Sequence, residues 1–490
     1  MKKSLQKRKA GVLLHISSLP SADFGDGAYQ FLDFLVNIGA TVWQTLPLNV
    51  PMCDGSPYQC LSAHAGNPAF ISLQKLASFG LVSAVDLTDY TNKPTLDFKQ
   101  HLLAKAYVQL AQNTQSETYI DYKKFCRKHA SWLNNFAVFS VLRQQFQQSS
   151  WNTWPKSFKK CELKTFNLLK KQHAELINVI KFTQFVFFTQ WLALKSAANQ
   201  KGIAMFGDIP IFVAFDSADV WANPQLFKLD SQCNMKVVAG VPPDYFSITG
   251  QRWGNPHYNW RAMKKDNFKW WLARMATQNR LFDMVRIDHF RGLESAWEIP
   301  AAEETAMQGS WILAPGDALL MTIKQRFKKM CLVAEDLGII TDEVNALRNK
   351  YALPGMKILQ FAFGGNDENS YLPHNIECNS VVYTGTHDND TSLGWYEALD
   401  DHTKNHLHTV LLNETPNMPA ALVDMALASQ ADLAIIPMQD ILALDSAHRM
   451  NVPGTVGQNW QWRFEWSQLT DTMILSIKNS IAITNRAQKS

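Results

Sequence analysis

No Cys-x-x-C pair occurs in the chain, and its seven cysteines are an odd number. That excludes the common zinc-ligand spacing and speaks against a disulfide framework, so a reducing cytosol is the expected compartment. Nor does any apolar run approach the roughly 18 residues that a spanning helix needs, and no membrane partner is expected. The N-terminus begins basic, as a signal peptide does. Its apolar run from Ala10 to Ile16 is short, however, contains His15 and leads to no clean small-residue cleavage site. An excess of one charge is missing too: 47 basic against 43 acidic residues leave a net +4, too balanced for a nucleic-acid or membrane-surface partner. There is no phosphate-cradling glycine loop, no internal repeat, no low-complexity tract and no linker that splits the chain.

What is present is a large apolar inventory, 46% of 490 residues, with sixteen tryptophans and twelve tyrosines. Most of those rings belong in a core; the rest are available as flat platforms. Short runs that are apolar on both faces read as buried parallel strands. They fall at Gly11–Ile16, Thr41–Leu46, Ile203–Asp208, Phe282–Asp288, Cys331–Glu335, Lys357–Phe363, Val381–Gly385 and Leu433–Pro437. Helical stretches such as Asp317–Lys329 and Thr341–Lys350 lie between them. Eight strands alternating with helices imply an α/β fold, a closed (β/α)8 TIM barrel.

Two segments interrupt the rhythm. Residues 86–199 hold no strand signal and read as an inserted helical subdomain, with helices over Phe98–Ala111, Tyr119–Phe146 and Ala174–Ala198. A connection that long is not an ordinary barrel loop. Residues 215–265 are rich in Gly, Pro, Asn and Asp and read as a loop subdomain over the C-terminal face of the barrel. The whole of 1–490 is then one catalytic barrel with two insertions.

Three apolar strands end in carboxylates. Asp283 to Gly292 places Arg286 and Asp288 two apart, hence on one face of the strand. An arginine beside an aspartate favours its ionised form. Cys331 to Gly338 ends in Glu335 and Asp336, and Val381 to Asp390 in His387 and Asp388. Each is also readable as an ion pair or a helix N-cap, and Asp390 before Thr391 fits a cap. Asp208, in Phe-Gly-Asp-Ile-Pro, reads equally as catalytic support or as a turn-former before Pro210. Three carboxylates gathered at one barrel mouth are costly to desolvate without a purpose, and barrel chemistry is done at that end. A carboxylate pair there is what glycoside cleavage requires.

At these residues the sequence resembles the amylomaltases, the 4-α-glucanotransferases or disproportionating enzymes of glycoside hydrolase family 77. The shared motifs span nearly the whole chain. They include Ser56-Pro-Tyr-Gln with Ala65-Gly-Asn-Pro68, Gly207-Asp-Ile-Pro210, and Asp216 to Pro224. They continue through Gly240 to Pro256, Arg286-Ile-Asp-His-Phe-Arg-Gly292, Ala334-Glu-Asp-Leu-Gly338, Thr386-His-Asp-Asn389 and Arg449-Met-Asn-Val-Pro-Gly454. The resemblance implies Asp288 as nucleophile, Glu335 as general acid/base and Asp388 as the third carboxylate, which grips sugar hydroxyls. It implies Arg286 and His387 as partners of the sugar being cut, with Tyr58 stacked on that sugar. It places Asp244, Gln251 and Trp253 on a cleft-covering loop, and adds Ser56, Asp208 and Asn459 as substrate-binding positions. Tyr58 is alternatively a core tyrosine, while Trp253 reads as an exposed platform in a loop. The chain departs from the family pattern at His64, where an aromatic such as Phe is usual, and at His15-Ile-Ser-Ser.

The implied reaction transfers α-1,4-glucan segments between maltooligosaccharides by double displacement, with retention and with no metal or organic cofactor. The partners are glucans as donor and acceptor, and the chain is expected as a monomer or small homo-oligomer. Two other readings remain: a hydrolase of the α-amylase type, with water as acceptor, and a glucan-binding protein with a dead site.

Overall fold

The computed structural model describes residues 8–243 and 247–487. Its centre is an eight-stranded parallel sheet. The strands are β1 (Lys9–Leu13), β2 (Val42–Gln44), β3 (Ala204–Pro210), β6 (Met284–Asp288), β9 (Cys331–Ala334), β10 (Gly355–Ile358), β11 (Ser380–Tyr383) and β12 (Leu433–Pro437). Each pairs with its neighbour in chain order, and β12 returns to β1. The remaining seam, between β9 and β10, is bridged where Ala334 N–H donates to Pro354 O over 2.9 Å. The eight expected strands are all found, and the fold is the expected TIM barrel.

Period-two alternation divides each strand between two cores. Leu13, Val381, Tyr383, Leu433 and Ile435 point into the barrel with Phe206, Val333 and Met356. The alternate residues Val12, Val382, Ala434 and Ile436 face the surrounding helices and join the larger core. This two-sided burial is why the strands read as unbroken apolar runs.

Several boundaries differ from expectation. The sixth strand ends at Ile358. Leu359–Phe361 turns into a 3-10 helix because the Gln360 amide donates to Asp390 O, tying the chain to the loop after β11. The helix expected over Tyr119–Phe146 is two helices, Glu117–Lys128 and Ala130–Gln145. The break is at His129, whose ring packs among Phe125, Trp132 and Phe188 and bonds to Arg280. From residue 84 to 200 the described structure contains helices and turns.

Residues 215–265 are not all loop. β4 (Val237–Val241) and β5 (Gln251–Pro256) form an antiparallel pair, extended by β7 (Ser295–Pro300) and β8 (Ser310–Leu313) into a second sheet ordered β5-β4-β7-β8. Its glycines and prolines hid it. Gly250, at φ +67°, takes the left-handed turn between β4 and β5. Pro256 is tolerated because β5 is an edge strand that need not donate on both sides.

Candidate active site

Parallel pairing brings the carboxylates together. β3 and β6 run in register with Asp208 opposite Arg286 and Pro210 opposite Asp288. Because Arg286 and Asp288 share a face, one guanidinium reaches two acids: Nη1 lies 2.7 Å from Asp208 Oδ2 and Nη2 lies 2.8 Å from Asp288 Oδ1. Glu335 follows β9 directly, and its backbone N–H donates to Ile287 O over 3.1 Å, one residue before Asp288. Its Oε2 accepts from His289 N–H at 2.5 Å and its Oε1 from Leu337 N–H at 2.9 Å. Asp388 lies in the turn after β11, where Asn451 Nδ2 donates to Oδ1 at 2.6 Å and His387 Nε2 stands 3.2 Å from Oδ2.

The segment after β2 closes this constellation. The Tyr58 hydroxyl donates to Asp208 Oδ2 over 2.7 Å, and its ring stacks on His387 with centroids 5.2 Å apart and planes 13° from parallel. Trp460 flanks both rings at 6.0 Å. Tyr58 is half-buried rather than a core tyrosine. Asp208 does more than form a turn: its carboxylate is where Tyr58 and Arg286 meet.

The three carboxylates differ in protonation. Burial raises Glu335 to about 8; Arg286 pulls the other way, Asp288 adds to the rise, and two backbone N–H groups oppose it. Burial also raises Asp288, to about 6, against the pull of Arg286. Arg286 favours the ionised form of Asp288, as expected, but burial and the neighbouring Asp208 and Asp388 charges work against it. For Asp388 burial works upward too, but His387 and Asn451 outweigh it and hold the carboxyl well below the usual range. Burial thus favours a proton on the Glu335–Asp288 pair, with Glu335 raised the further, while Asp388 is held ionised. The side chain of Asp288 is 28% exposed and that of Asp388 47%, so both open onto the cleft. One proton donor beside one ionised carboxylate is the arrangement for acid-assisted nucleophilic substitution.

The other expected residues sit as follows. Gln251 and Trp253 are on strand β5, not on a loop. Trp253 is half-buried rather than exposed, with its indole edge-on to His289 at 4.7 Å and its Nε1 donating to Gln251 Oε1 at 3.1 Å. β5 is also tied to the Tyr58 segment, since Gln59 Nε2 donates to Asn255 Oδ1 over 3.0 Å. Ser56 Oγ accepts from Tyr58 N–H at 3.3 Å and shapes that turn. Asn459 accepts from Val452 N–H at 3.0 Å and donates to Thr455 O at 3.0 Å, closing its own loop. Asp244 lies outside the described residues. Sequence reasoning assigned no role to His289, Asn451 or Trp460. The Arg449–Gly454 motif carried a signal for Asn451, and His289 is a polar residue at a strand end.

Comparison with known proteins gives a consistent result. A family model described as 4-alpha-glucanotransferase, of glycoside hydrolase family 77, matches residues 14–470. The 4-alpha-glucanotransferase of Streptococcus pneumoniae is 43% identical over 482 residues, covering 95% of each chain. That of Thermus thermophilus is 44% identical over 474 residues, 93% of this chain and 94% of the other. An amylomaltase from Streptococcus agalactiae, solved in complex with acarbose, superposes with a TM-score of 0.92 at 36% identity, covering 98% of this chain and all of the other. Amylomaltase from Corynebacterium glutamicum shares the fold, with a TM-score of 0.75 at 18% identity.

Proposed function

This chain belongs to the 4-α-glucanotransferases of glycoside hydrolase family 77, and from that premise we propose that Asp288, Glu335 and Asp388 carry the transfer by a retaining double displacement. The enzyme transfers α-1,4-glucan segments between maltooligosaccharides. In the first half-reaction Asp288 Oδ attacks the anomeric carbon, and Glu335 gives its proton to the departing glycosidic oxygen. A covalent glucosyl ester and a shortened glucan result. In the second, the now ionised Glu335 takes the proton from the 4-hydroxyl of an incoming glucan. That oxygen attacks the anomeric carbon, Asp288 leaves as carboxylate, and the new bond forms with net retention.

The observation that carries this reading is the geometry of the three carboxylates at one end of the barrel: Asp288 faces Arg286 Nη2 at 2.8 Å, Glu335 is fixed by the N–H groups of His289 and Leu337, and Asp388 is held by Asn451; burial raises both Glu335 and Asp288. An acid and a nucleophile of the same chemical type need such different environments. Asp388, held ionised by His387 and Asn451, binds sugar hydroxyls and favours the distorted ring. Arg286 orients Asp288, while Tyr58 and His387 form the wall against which the sugar ring packs. Strand β5, joined to the Tyr58 segment through Asn255 and to the Asp288 strand end through Trp253 and His289, forms a wall that limits water and favours a sugar acceptor.

Seven free thiols support a reducing cytosol as the compartment. No helix among the described residues is long and apolar enough to cross a membrane.

Maltotriose turnover tests the reading. The purified protein should yield glucose and a ladder of longer maltodextrins with little rise in reducing ends, and Asp288→Asn should abolish both. Reducing ends rising steadily alongside glucose and maltose would replace transfer with hydrolysis. A ladder made equally well by Asp288→Asn would remove Asp288 from its role.

A further inference from the structure

His289, next in sequence to Asp288, has a left-handed backbone, with φ and ψ both at +51°. Among the described residues it is the one non-glycine with positive φ that adjoins any of the three carboxylates. This conformation is uncommon for a residue with a side chain, and a strained backbone persists only where its surroundings over-determine it. No helix ends here, where a left-handed residue would be routine. The strand Met284–Asp288 stops before it and the 3-10 turn Phe290–Leu293 starts after it.

That backbone turns two consecutive N–H groups towards Glu335. The N–H of His289 donates to the side-chain Oε2 over 2.5 Å, and the N–H of Phe290 donates to the main-chain O over 3.0 Å. Successive N–H groups turned to one side are how a backbone holds an anion. The His289 N–H belongs to the peptide unit that starts at Asp288. One rigid plane therefore joins the residue that bears the nucleophile to the donor that holds the acid. Reversing φ with either bond held would swing the other N–H away from Glu335.

The ring is held by packing. The Trp253 indole meets it edge-on at 4.7 Å, and a Cβ on Gly292 would come within 3.2 Å of its Cδ2. Its Nε2 is buried with no hydrogen-bond partner among the described residues. Burial, with Arg291 and His257, lowers the imidazole to about 3. The ring is thus neutral through the working range, and removing it takes no charge from the site. The charges facing Glu335 are Arg286 and Asp288 on the neighbouring strand, with the Tyr371 phenol also within its field. A substitution at 289 alters none of them.

We infer that His289 is a positioning residue for the reaction: its left-handed backbone aims the peptide it shares with Asp288 at Glu335, and so fixes the spacing of nucleophile and acid. Its ring ties that turn to Trp253 on β5. The inference rests on Asp288 and Glu335 acting as proposed above. His289 acts through Glu335 and transfers no proton itself.

The test compares side chains by the backbone they accept, in the full chain turning over maltotriose. Asparagine tolerates a left-handed backbone and glycine adopts it freely, whereas valine resists it. His289→Asn and His289→Gly should keep kcat within about tenfold of wild type, the effect of the lost ring contact, and leave the alkaline limb of kcat/KM in place. His289→Val should lower kcat about a hundredfold with KM little changed, as for a reacting group displaced by about 1 Å. It should also move the alkaline limb up by about one pH unit, because Glu335 loses a donor that favours its ionised form. A role in packing alone predicts the opposite order, since valine fills more of the space than glycine. Equal limbs in His289→Val and His289→Asn, or a displaced limb in His289→Gly, overturn the inference, and His289→Gly decides alone should His289→Val fail to fold. A wild-type profile with no alkaline limb rejects Glu335 as the acid, and the role of His289 falls with it. A wild-type limb that His289→Val leaves unmoved rejects only His289.

Discussion

The hydroxyl of Tyr58 donates to Asp208 Oδ2, the same oxygen that faces Arg286 Nη1, each at 2.7 Å. Asp208 never needs to touch a sugar to matter. It draws on the charge that Arg286 would otherwise give wholly to Asp288, and it fixes the height of the Tyr58 ring. Tyr58→Phe keeps the ring and removes only the donor. A hydrogen bond to a charged group contributes about 1.5–3 kcal/mol, and only part of that reaches the transition state. We expect kcat to fall about tenfold with KM little changed, whereas Tyr58→Ala should lower kcat/KM further by removing the stacked wall. Wild-type kinetics in Tyr58→Phe would show that the Asp208 contact is dispensable.

The pH profile follows from the carboxylate pair. Asp288 attacks only when ionised, so rate is lost as pH falls through about 6. Glu335 donates only when protonated, so kcat/KM is lost as pH rises through about 8. A bell with limbs near those values is expected for maltotriose turnover. Glu335→Gln should leave little rate at any pH, because the amide neither gives nor takes the proton. A rate that stays flat to pH 10 would remove Glu335 as the acid.

Asn451 holds one carboxylate oxygen of Asp388 while His387 faces the other. Removing its amide removes one of the forces that keep Asp388 ionised. Asn451→Ala should lower kcat by about tenfold or more, an estimate from one charge-assisted hydrogen bond, with the melting temperature little changed. Asn451→Asp should be worse, since it places a like charge against Asp388. Equal activity in both variants would show that Asp388 is held by His387 alone.

The barrel was legible because parallel strands buried on both faces leave unbroken apolar runs, as at Leu433–Pro437, where every residue is buried. The acids were legible because they stand where those runs stop. The second sheet was not. Ser310–Leu313 is exposed at every position, and Gln251–Pro256 contains Gly and Pro, so neither shows period-two burial. Asn451 and Trp460 could be given no role because their partners, Asp388 and Tyr58, are brought to them only by closure of the barrel, 63 residues away for Asn451. Trp253 was assigned to a loop because composition reports turn residues but not pairing.

The insertion is clasped to the barrel through side-chain amides. Gly66 N–H donates to Gln184 Oε1 at 2.8 Å and Gln184 Nε2 donates back to Gly66 O at 2.9 Å. Gln184→Leu leaves both backbone groups buried and unpaired, at about 1–3 kcal/mol for each. Its melting temperature should drop, and a melting curve unchanged from wild type would mean that the segment finds other partners.

Glu335 should also be a liability for stability. Its folded pKa is raised from 4.5 to about 8, so between those values the folded protein holds a proton that the unfolded chain has released. Stability therefore falls as pH rises from about 4.5 to about 8, and the loss is complete above that. The carboxyl is buried, so solvent screening gives little relief. Glu335→Gln carries no such charge. Its melting temperature should match wild type at pH 4.5 and exceed it increasingly toward pH 8. Paired calorimetric scans at the two pH values check this, and a variant no more stable than wild type at pH 8 would mean that Glu335 is not strained by burial and has no raised pKa with which to act as the acid.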